Sequence, residues 1–310
     1  MTPSCAMTSA LLLDPDATAA RLPYPALVAE TAALLQDTSV QVPERRVQPL
    51  PGGGSLFVMP ALDSRVAITK LITFTPANAG TGRPAIQGDV VVFDVATGER
   101  RLILDGPTVT ARRTAAVSAL AAQTLAPNRS GPLLIVGAGV QGRAHLEAFA
   151  QTLGVARVVI ASRSDASAQA LAQHARALGL KARVTQDADA ALADCPLAVT
   201  CTPASGVVLR AAPRADGFLC AVGAFTPRMV ELGPELCRHV AAQGTIVVDT
   251  GDALHEAGDL LQAGLDVAAL PTLGGWLRQP SPARAGPVLF KSCGWAGWDL
   301  AAARTALRGL

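Results

Sequence analysis

Hydrophobic and polar positions follow two different rhythms along the chain. In the first third, short apolar runs with alternating polar positions are separated by turn residues such as Gly52 to Gly54 and Thr97-Gly98. This pattern predicts antiparallel strands joined by tight turns. A segment at 22–36 instead carries apolar residues at helical spacing, which predicts a helix ahead of the strands. The first third is therefore predicted to be a small α+β unit.

The rhythm changes after an alanine-rich stretch, TVTARRTAAVSALAAQTLA, which predicts a long helix ended by Pro127-Asn128. From there, short apolar strands alternate with helices, as is typical of a parallel, doubly wound sheet. The sequence thus predicts an α/β protein with a Rossmann domain at 127–285. A smaller α+β domain for substrate binding and dimerisation is expected at 1–126 together with 286–310, a segment that ends in a helix.

Composition excludes several classes of function. The 310 residues are 50% hydrophobic and carry a net charge of +2, and only 4% are aromatic, which argues against nucleic acid as a partner. No uninterrupted apolar 18-mer predicts a membrane span. The opening residues lack a basic region and a long apolar run, so we expect no signal peptide and a cytoplasmic protein. The cysteines and histidines show no ligand spacing, so no metal is expected.

A glycine-rich turn follows the first strand of the predicted Rossmann sheet. The residues Gly137-Ala138-Gly139-Val140-Gln141-Gly142 match G-x-G-x-x-G between the apolar strand LLIV and a helix. In this context the glycines permit a tight turn, a close approach of the pyrophosphate and close packing of helix on strand. The helix N-terminus offers unpaired N–H groups to the phosphates. The alternative is a strand-turn-helix whose glycines serve geometry only.

The end of the next strand bears on cofactor choice. NAD-selective enzymes place an acid about 20 residues after the glycine turn, to bond the ribose 2′-hydroxyl. Here Arg163 stands between Ser162 and Ser164. A guanidinium flanked by hydroxyl groups suits a 2′-phosphate, so the sequence predicts NADP, with NAD as the alternative. If Arg163 is only a solvated surface residue, this distinction disappears.

Three cations outside the Rossmann unit are candidates for binding an acid. Lys70 lies inside the apolar strand AITKLITF, where a buried amine is costly unless it is paired or used. Arg45 and Arg113 are two further cations that the fold can bring near it. Together they would hold a carboxylate through a guanidinium fork and a point charge. Solvated charges at strand and helix edges are the alternative.

Several segments, in order, resemble the ornithine cyclodeaminase/mu-crystallin family. They include PERRV, ITKLITF, TARRTAAVSALAA, IVGAGVQGRAH, TCTPAS, AVGAFTPRMVEL, EAGDL and LFKSCG, and the resemblance covers nearly the whole chain. It implies a homodimer made by the first domain, with the C-terminal helix returning to that domain. It also implies that Arg45, Lys70 and Arg113 hold a substrate carboxylate beside the nicotinamide. The predicted cofactor-binding residues are Gly137, Ala138, Gly139, Val140, Gln141, Gly142, Ser162, Arg163, Ser164, Thr202, Val222 and Lys291.

Two positions depart from the cyclodeaminase pattern. Phe225 stands where such members carry an aspartate that assists amine loss, and Trp298 replaces the first residue of a Glu-Asp pair. The EAGDL segment is interpreted as a helix end and turn rather than as a catalytic acid. A phenylalanine cannot transfer a proton, so the resemblance favours the members that reduce cyclic ketimines with NADPH.

We therefore expect an NAD(P)H-dependent oxidoreductase acting on C–N bonds. Its small-molecule substrate would be a cyclic imino acid, Δ1-pyrroline-2-carboxylate or Δ1-piperideine-2-carboxylate, reduced to proline or pipecolate. Lys70 would be the catalytic residue that protonates the imine. Two alternatives stay open. One is an ornithine cyclodeaminase or alanine dehydrogenase-type deaminase that uses Glu231 or Asp249 as its acid. The other is a non-catalytic, mu-crystallin-like NADP-binding protein.

Overall fold

Two compact units make up the protein. A computed structural model describes residues 11–78, 81–203, 205–279 and 285–308. The first ten residues, which were not expected to be a signal peptide, lie outside the described residues. The first unit comprises the described residues of 1–30, 37–113 and 296–310. The second unit comprises those of 31–36 and 114–295. The division falls inside the alanine-rich helix rather than after it.

The first unit is built on a six-stranded sheet. Its strands are β1 (Leu11–Leu12), β2 (Arg46–Pro49), β3 (Ser55–Leu62), β4 (Val66–Phe74), β5 (Ile86–Asp94) and β6 (Arg100–Asp105). They lie in the order β1-β6-β5-β4-β3-β2, antiparallel except for the β1–β6 pair. The two turns predicted from their glycines are confirmed, and Gly98 adopts a φ of 72°, which glycine tolerates without strain.

Three helices precede the second sheet: α1 (Pro15–Ala20), α2 (Tyr24–Leu34) and α3 (Gly106–Leu125). Asp14 caps α1 by accepting a hydrogen bond from the Ala17 N–H at 2.8 Å. Helix α3 is the predicted alanine-rich helix, and it ends two residues before Pro127. This position agrees with the exclusion of helical backbone just before a proline.

The second unit contains a seven-stranded, fully parallel sheet. Its strands are β7 (Leu133–Val136), β8 (Arg157–Ala161), β9 (Lys181–Thr185), β10 (Leu197–Thr200), β12 (Phe218–Ala221), β14 (Thr245–Val248) and β15 (Val288–Lys291), while β11 (Ser205–Leu209) and β13 (Val230–Leu232) form a separate pair. The helices are α4 (Val140–Leu153), α5 (Asp165–Ala177), α6 (Ala188–Leu192), α7 (Pro234–Gln243), α8 (Ala253–Glu256), α9 (Gly258–Gln262) and α10 (Leu273–Arg278). The predicted Rossmann sheet is confirmed, but its strand β15 lies within 286–310, the segment predicted to belong to the first domain, because this buried strand pairs with β12 and β14.

The order of this sheet reverses beside β7. The strands run β14-β15-β12-β10-β7-β8-β9, so the chain moves outward from β7 to β9 and then crosses to the other side of β7 at β10. Every residue of β7, β10 and β12 is buried, as expected for parallel strands covered on both faces. Ligands of such sheets bind outside the carboxyl ends of the strands at this reversal. That rule points to the loops after β7, β8 and β10.

The last helix, α11 (Ala296–Leu307), returns to the first unit and packs against β3 and β4. Its Arg304 is nearly buried and donates to Asp63 (2.5 Å) and Asp37 (2.6 Å), with Glu30 at 3.5 Å. Three carboxylates thus fix the register of α11 on its sheet. Within the described ranges, no helix combines the length and the hydropathy needed to cross a membrane.

Candidate functional site

The glycine turn after β7 has the geometry of a phosphate cradle. Gly137 has a φ of 114°, and a Cβ there would lie 2.7 Å from the Cys201 carbonyl oxygen. A Cβ on Gly142 would lie 2.1 Å from the Gly137 carbonyl oxygen, so that glycine permits helix and strand to pack closely. At Gly139, by contrast, a Cβ would meet nothing within 4 Å. The open side of the turn is therefore the side from which a ligand can approach the backbone.

Helix α4 starts directly from this turn. Gly139 is its N-cap, and no side chain among the described residues caps the helix. The first N–H groups of α4 are therefore available to an anion, and the positive end of the helix dipole favours one. The residues present thus fit a dinucleotide pyrophosphate.

A cleft of about 960 Å³ opens at the carboxyl ends of β7, β8 and β10. Its walls include most of the predicted cofactor-binding residues: Gly137, Ala138, Gly139, Val140, Gln141, Ser162, Arg163, Ser164 and Thr202. Three others are placed elsewhere. Gly142 packs beneath the turn, Val222 donates its N–H to the Thr200 carbonyl (3.0 Å), and Lys291 is fully buried 2.8 Å from Asp259. A cofactor contact for these three stays a prediction.

The two serines and Arg163 directly follow β8. Ser164 caps α5 by accepting a hydrogen bond from the Ser167 N–H at 3.2 Å, which fixes the backbone of this corner. Arg163 is exposed and lines the cleft. The corner therefore offers one exposed cation between two hydroxyl groups.

A second chemical cluster lies within the first unit. The Lys70 Nζ on β4 is 2.7 Å from Oδ2 of Asp299 on α11, and the Arg113 Nε donates to Oδ1 of the same carboxylate at 3.1 Å. The exposed fractions are 1% for Lys70, 6% for Arg113 and zero for Asp299. The structure thus brings two of the predicted cations together around an acid. Sequence reasoning did not assign that acid to the site, although a single carboxylate within an apolar helix was the available signal.

The pKa of Lys70 is lowered to about 8. Burial is the largest cause; Asp299 opposes it, and Arg113 and Arg45 lower the pKa further. The third predicted cation, Arg45, therefore lies within electrostatic range of Lys70. An amine with this pKa carries its proton at neutral pH and releases it easily, as a general acid needs.

Arg113 keeps donors beyond its contact with Asp299. A guanidinium presents five N–H groups in a planar fork, and among the described residues the hydrogen bond to Asp299 uses Nε. The terminal amino groups can therefore hold a ligand carboxylate while Asp299 fixes the plane of the side chain. Two cations share one resident carboxylate here, so the cluster keeps a positive charge for an acid.

The two acids considered as substitutes for the missing aspartate are both engaged. Glu231 is fully buried and accepts hydrogen bonds from Thr202 and Gly223. Asp249 is 1% exposed, and its Oδ2 accepts from the Ser292 hydroxyl (2.7 Å) and from the backbone N–H groups of Cys293 and Gly294, both at 2.9 Å. Neither carboxylate is presented to a ligand.

The two departures from the cyclodeaminase pattern have different surroundings. Phe225 lies in the loop between β12 and β13 and is 40% exposed. Trp298 has no exposed surface and lies on the same buried turn of α11 as Asp299. Trp298 is therefore part of the interior of the first unit, while Phe225 is available to a ligand.

The sequence profile of the Ornithine cyclodeaminase/mu-crystallin family matches residues 26–307. The chain belongs to this family. One curated member, Δ1-pyrroline-2-carboxylate reductase 2 of Burkholderia ambifaria, is 40% identical over 94% of this chain and 94% of its own. Another, the Δ1-pyrroline-2-carboxylate/Δ1-piperideine-2-carboxylate reductase of Azospirillum brasilense, is 40% identical over 95% of this chain and 94% of its own.

The fold of this family member also matches a solved structure. The Thermococcus litoralis Δ1-pyrroline-2-carboxylate reductase, solved in complex with NADH and L-proline, superposes with a TM-score of 0.82. The match covers 96% of this chain and 95% of that chain at 22% identity. At this identity the likeness establishes the shared fold.

Proposed function

We propose that this protein reduces a cyclic imino acid with NADPH, converting Δ1-pyrroline-2-carboxylate or Δ1-piperideine-2-carboxylate to proline or pipecolate. The observation that carries the proposal is the buried cluster of Lys70, Asp299 and Arg113. It combines a donor fork for a carboxylate with an amine whose pKa is about 8. The names of the two 40% identical relatives support the same substrate class.

The residues of the first unit would act on the acid in two ways. Arg113, with Arg45, binds the carboxylate and so fixes the ring. Lys70 keeps the imine nitrogen protonated, which makes the neighbouring carbon electrophilic. NADPH, when bound, supplies the hydride that this carbon accepts. One proton and one hydride then account for the conversion of imine to amine.

NADPH is proposed over NADH because of Arg163. Its guanidinium lines the dinucleotide cleft at the position where NAD-selective enzymes carry an acid. Ser162 and Ser164 flank it and add hydroxyl donors for a phosphate. The whole family is nicotinamide-dependent, so the proposal concerns only the 2′ substituent.

Deamination by the cyclodeaminase route has less support. Phe225 occupies the position of the missing aspartate, and Glu231 and Asp249 are both held in buried hydrogen bonds. No side chain in this set is placed to transfer the extra proton.

We also propose that the first unit forms a homodimer through its sheet. Lys70 points into the interior beneath α11, so the alternating residues of β4 face the other way. On that face Leu71 is 40% exposed, next to half-buried Val58 across β3 and near half-buried Val91 on β5. A sheet face of this kind is typical of a surface that a second copy covers. Light scattering of the wild type and of Leu71→Asp tests it, and a monomeric wild type rejects it.

Purified protein tests the main proposal directly. We expect oxidation of NADPH with either cyclic imine, proline or pipecolate as product, and a lower dissociation constant for NADPH than for NADH. Ammonia release from ornithine with NAD, without imine reduction, would contradict the assignment. NADPH binding without turnover of any imine would instead favour a binding protein.

A further inference from the structure

A buried carboxylate lies where two loops of the second unit meet. Glu231 stands on β13 with no exposed surface, and it accepts hydrogen bonds from the loops that follow β10 and β12. Thr202 donates to it from the backbone N–H (2.7 Å) and the hydroxyl group (2.9 Å). Gly223 donates its backbone N–H at 2.6 Å. One carboxylate therefore fastens the two loops to each other.

Two further buried charges secure this arrangement. Asp259 accepts hydrogen bonds from the backbone N–H groups of Glu231 (2.6 Å) and Leu232 (2.9 Å), which fixes β13. Its other oxygen lies 2.8 Å from the Lys291 Nζ, which also donates to the Ala224 carbonyl at 2.6 Å. Burial raises the pKa of Glu231, and Lys291 is the largest influence that lowers it. The EAGDL segment thus does more than end a helix, because its aspartate anchors the strand that carries Glu231.

The two fastened loops present different side chains. Thr202 lines the dinucleotide cleft, whereas Gly223 and Ala224 lead directly to the exposed ring of Phe225. The loops also touch: a Cβ on Gly223 would lie 2.2 Å from the Thr202 carbonyl oxygen. A shift of either loop therefore moves the other.

We propose that Glu231 is a positioning residue that sets the distance between the Thr202 wall of the dinucleotide cleft and the Phe225 loop. The inference rests on the proposed NADPH-dependent function and extends it to a residue outside the cleft. A carboxylate suits this task because it accepts several hydrogen bonds and donates none. A glutamine of the same shape replaces one of the two carboxylate oxygens with an NH₂ group, which cannot accept a hydrogen bond. The glutamine can therefore accept hydrogen bonds from only one of the two loops.

The variant Glu231→Gln tests the proposal. We expect kcat for imine reduction to fall by roughly 10- to 100-fold, because a misplacement of about 1 Å costs on that order. The KM for the imine should change little, because the residues that bind the acid lie in the first unit. The dissociation constant for NADPH, measured by fluorescence without turnover, should rise. A purely structural role would lower the melting temperature and leave these constants of the folded enzyme unchanged.

Asp63→Asn is the matched control, because Asp63 is also a buried carboxylate that accepts two backbone N–H groups, those of Arg65 (2.5 Å) and Val66 (2.8 Å), and it lies in the first unit, outside the lining of the dinucleotide cleft. It should lose stability and keep both constants. If Glu231→Gln does not fold, Thr200→Val removes the hydrogen bond that the buried Thr200 hydroxyl group donates to Glu231 (3.0 Å), without changing the lining of the cleft, and should shift kcat and NADPH affinity in the same direction by less. Unchanged kcat and NADPH affinity in whichever folded variant is measured overturns the proposal. A wild type inactive with imines rejects the proposed function, while the NADPH dissociation constants still decide the role of Glu231.

Discussion

The ion pair between Lys70 and Asp299 sets the protonation of the proposed general acid, and Asp299→Asn isolates that effect. The substitution keeps the shape of the side chain and removes the charge that raises the pKa of Lys70. At an effective dielectric of about 20, unit charges about 4 Å apart interact by about 4 kcal/mol. At about 1.4 kcal/mol per unit, this equals about three pKa units. Observed shifts from an adjacent opposite charge are roughly 1–3 units.

We therefore expect the pKa of Lys70 to fall from about 8 in the wild type to roughly 5–7 in the variant. At pH 7 the wild-type amine is mostly protonated, whereas a variant amine with a pKa of about 6 is mostly neutral. The alkaline limb of kcat/KM, which reports the free enzyme, should move down by about 1–3 pH units. Activity at pH 7 should fall about tenfold for a two-unit shift and recover toward acid pH.

The assay measures the pH dependence of kcat/KM with Δ1-piperideine-2-carboxylate and NADPH. The imine titrates in the same way for every variant, so a difference between two pH profiles comes from the enzyme. Asp63→Asn is the control: Asp63 is a buried acid of the same unit, but it bonds Arg304 instead of Lys70. It should lower stability without moving the limb. An alkaline limb at the wild-type position in Asp299→Asn would refute the assignment of Lys70 as the general acid.

Three further predictions follow from single side chains. Arg163→Ala should raise the dissociation constant for NADPH by roughly 10- to 100-fold, because a charge-assisted hydrogen bond is lost. The dissociation constant for NADH should stay nearly unchanged. An equal loss of affinity for both dinucleotides would contradict a contact between Arg163 and the 2′-phosphate. Burial lowers the pKa of His145 to about 4, so the unfolded chain binds a proton between pH 6.5 and 4 that the folded chain does not. Between pH 6.5 and pH 4, the free energy of unfolding of the wild type should therefore fall by about 3 kcal/mol in denaturant titrations. This fall should be absent in His145→Gln. The control is His239→Gln, which replaces an exposed histidine and should behave as the wild type. For Lys70, the folded pKa of about 8 lies below the ordinary lysine value of 10.5, so the free energy of unfolding should rise by about 3 kcal/mol from pH 8 to 10.5. A similar rise in Lys70→Met would count against the burial of this amine.

The fold class, the family and the dinucleotide turn were all predictable from the sequence. These are local properties: alternating and helical rhythms report the face that each element buries, and the glycines at Gly137 and Gly142 are needed wherever a strand passes tightly into a helix. Arg163 was predictable in the same way, because its distance from the turn is fixed by one helix and one strand. The sequence also drew attention to Lys70, because an amine inside an apolar strand is costly without a partner.

Which charges meet becomes visible only in the folded protein. Asp299 is more than 200 positions from Lys70 along the chain, and it reaches that lysine only because α11 packs back onto β3 and β4. Likewise, the sequence offered Glu231 as a possible acid and Lys291 as a cofactor contact, whereas the structure places them in buried contacts with Gly223 and Asp259. Contacts between distant residues depend on how whole elements pack, and periodicity carries no information about that packing. Charge pairing in the interior, and with it the pKa values that make chemistry possible, is therefore a property of the assembled fold.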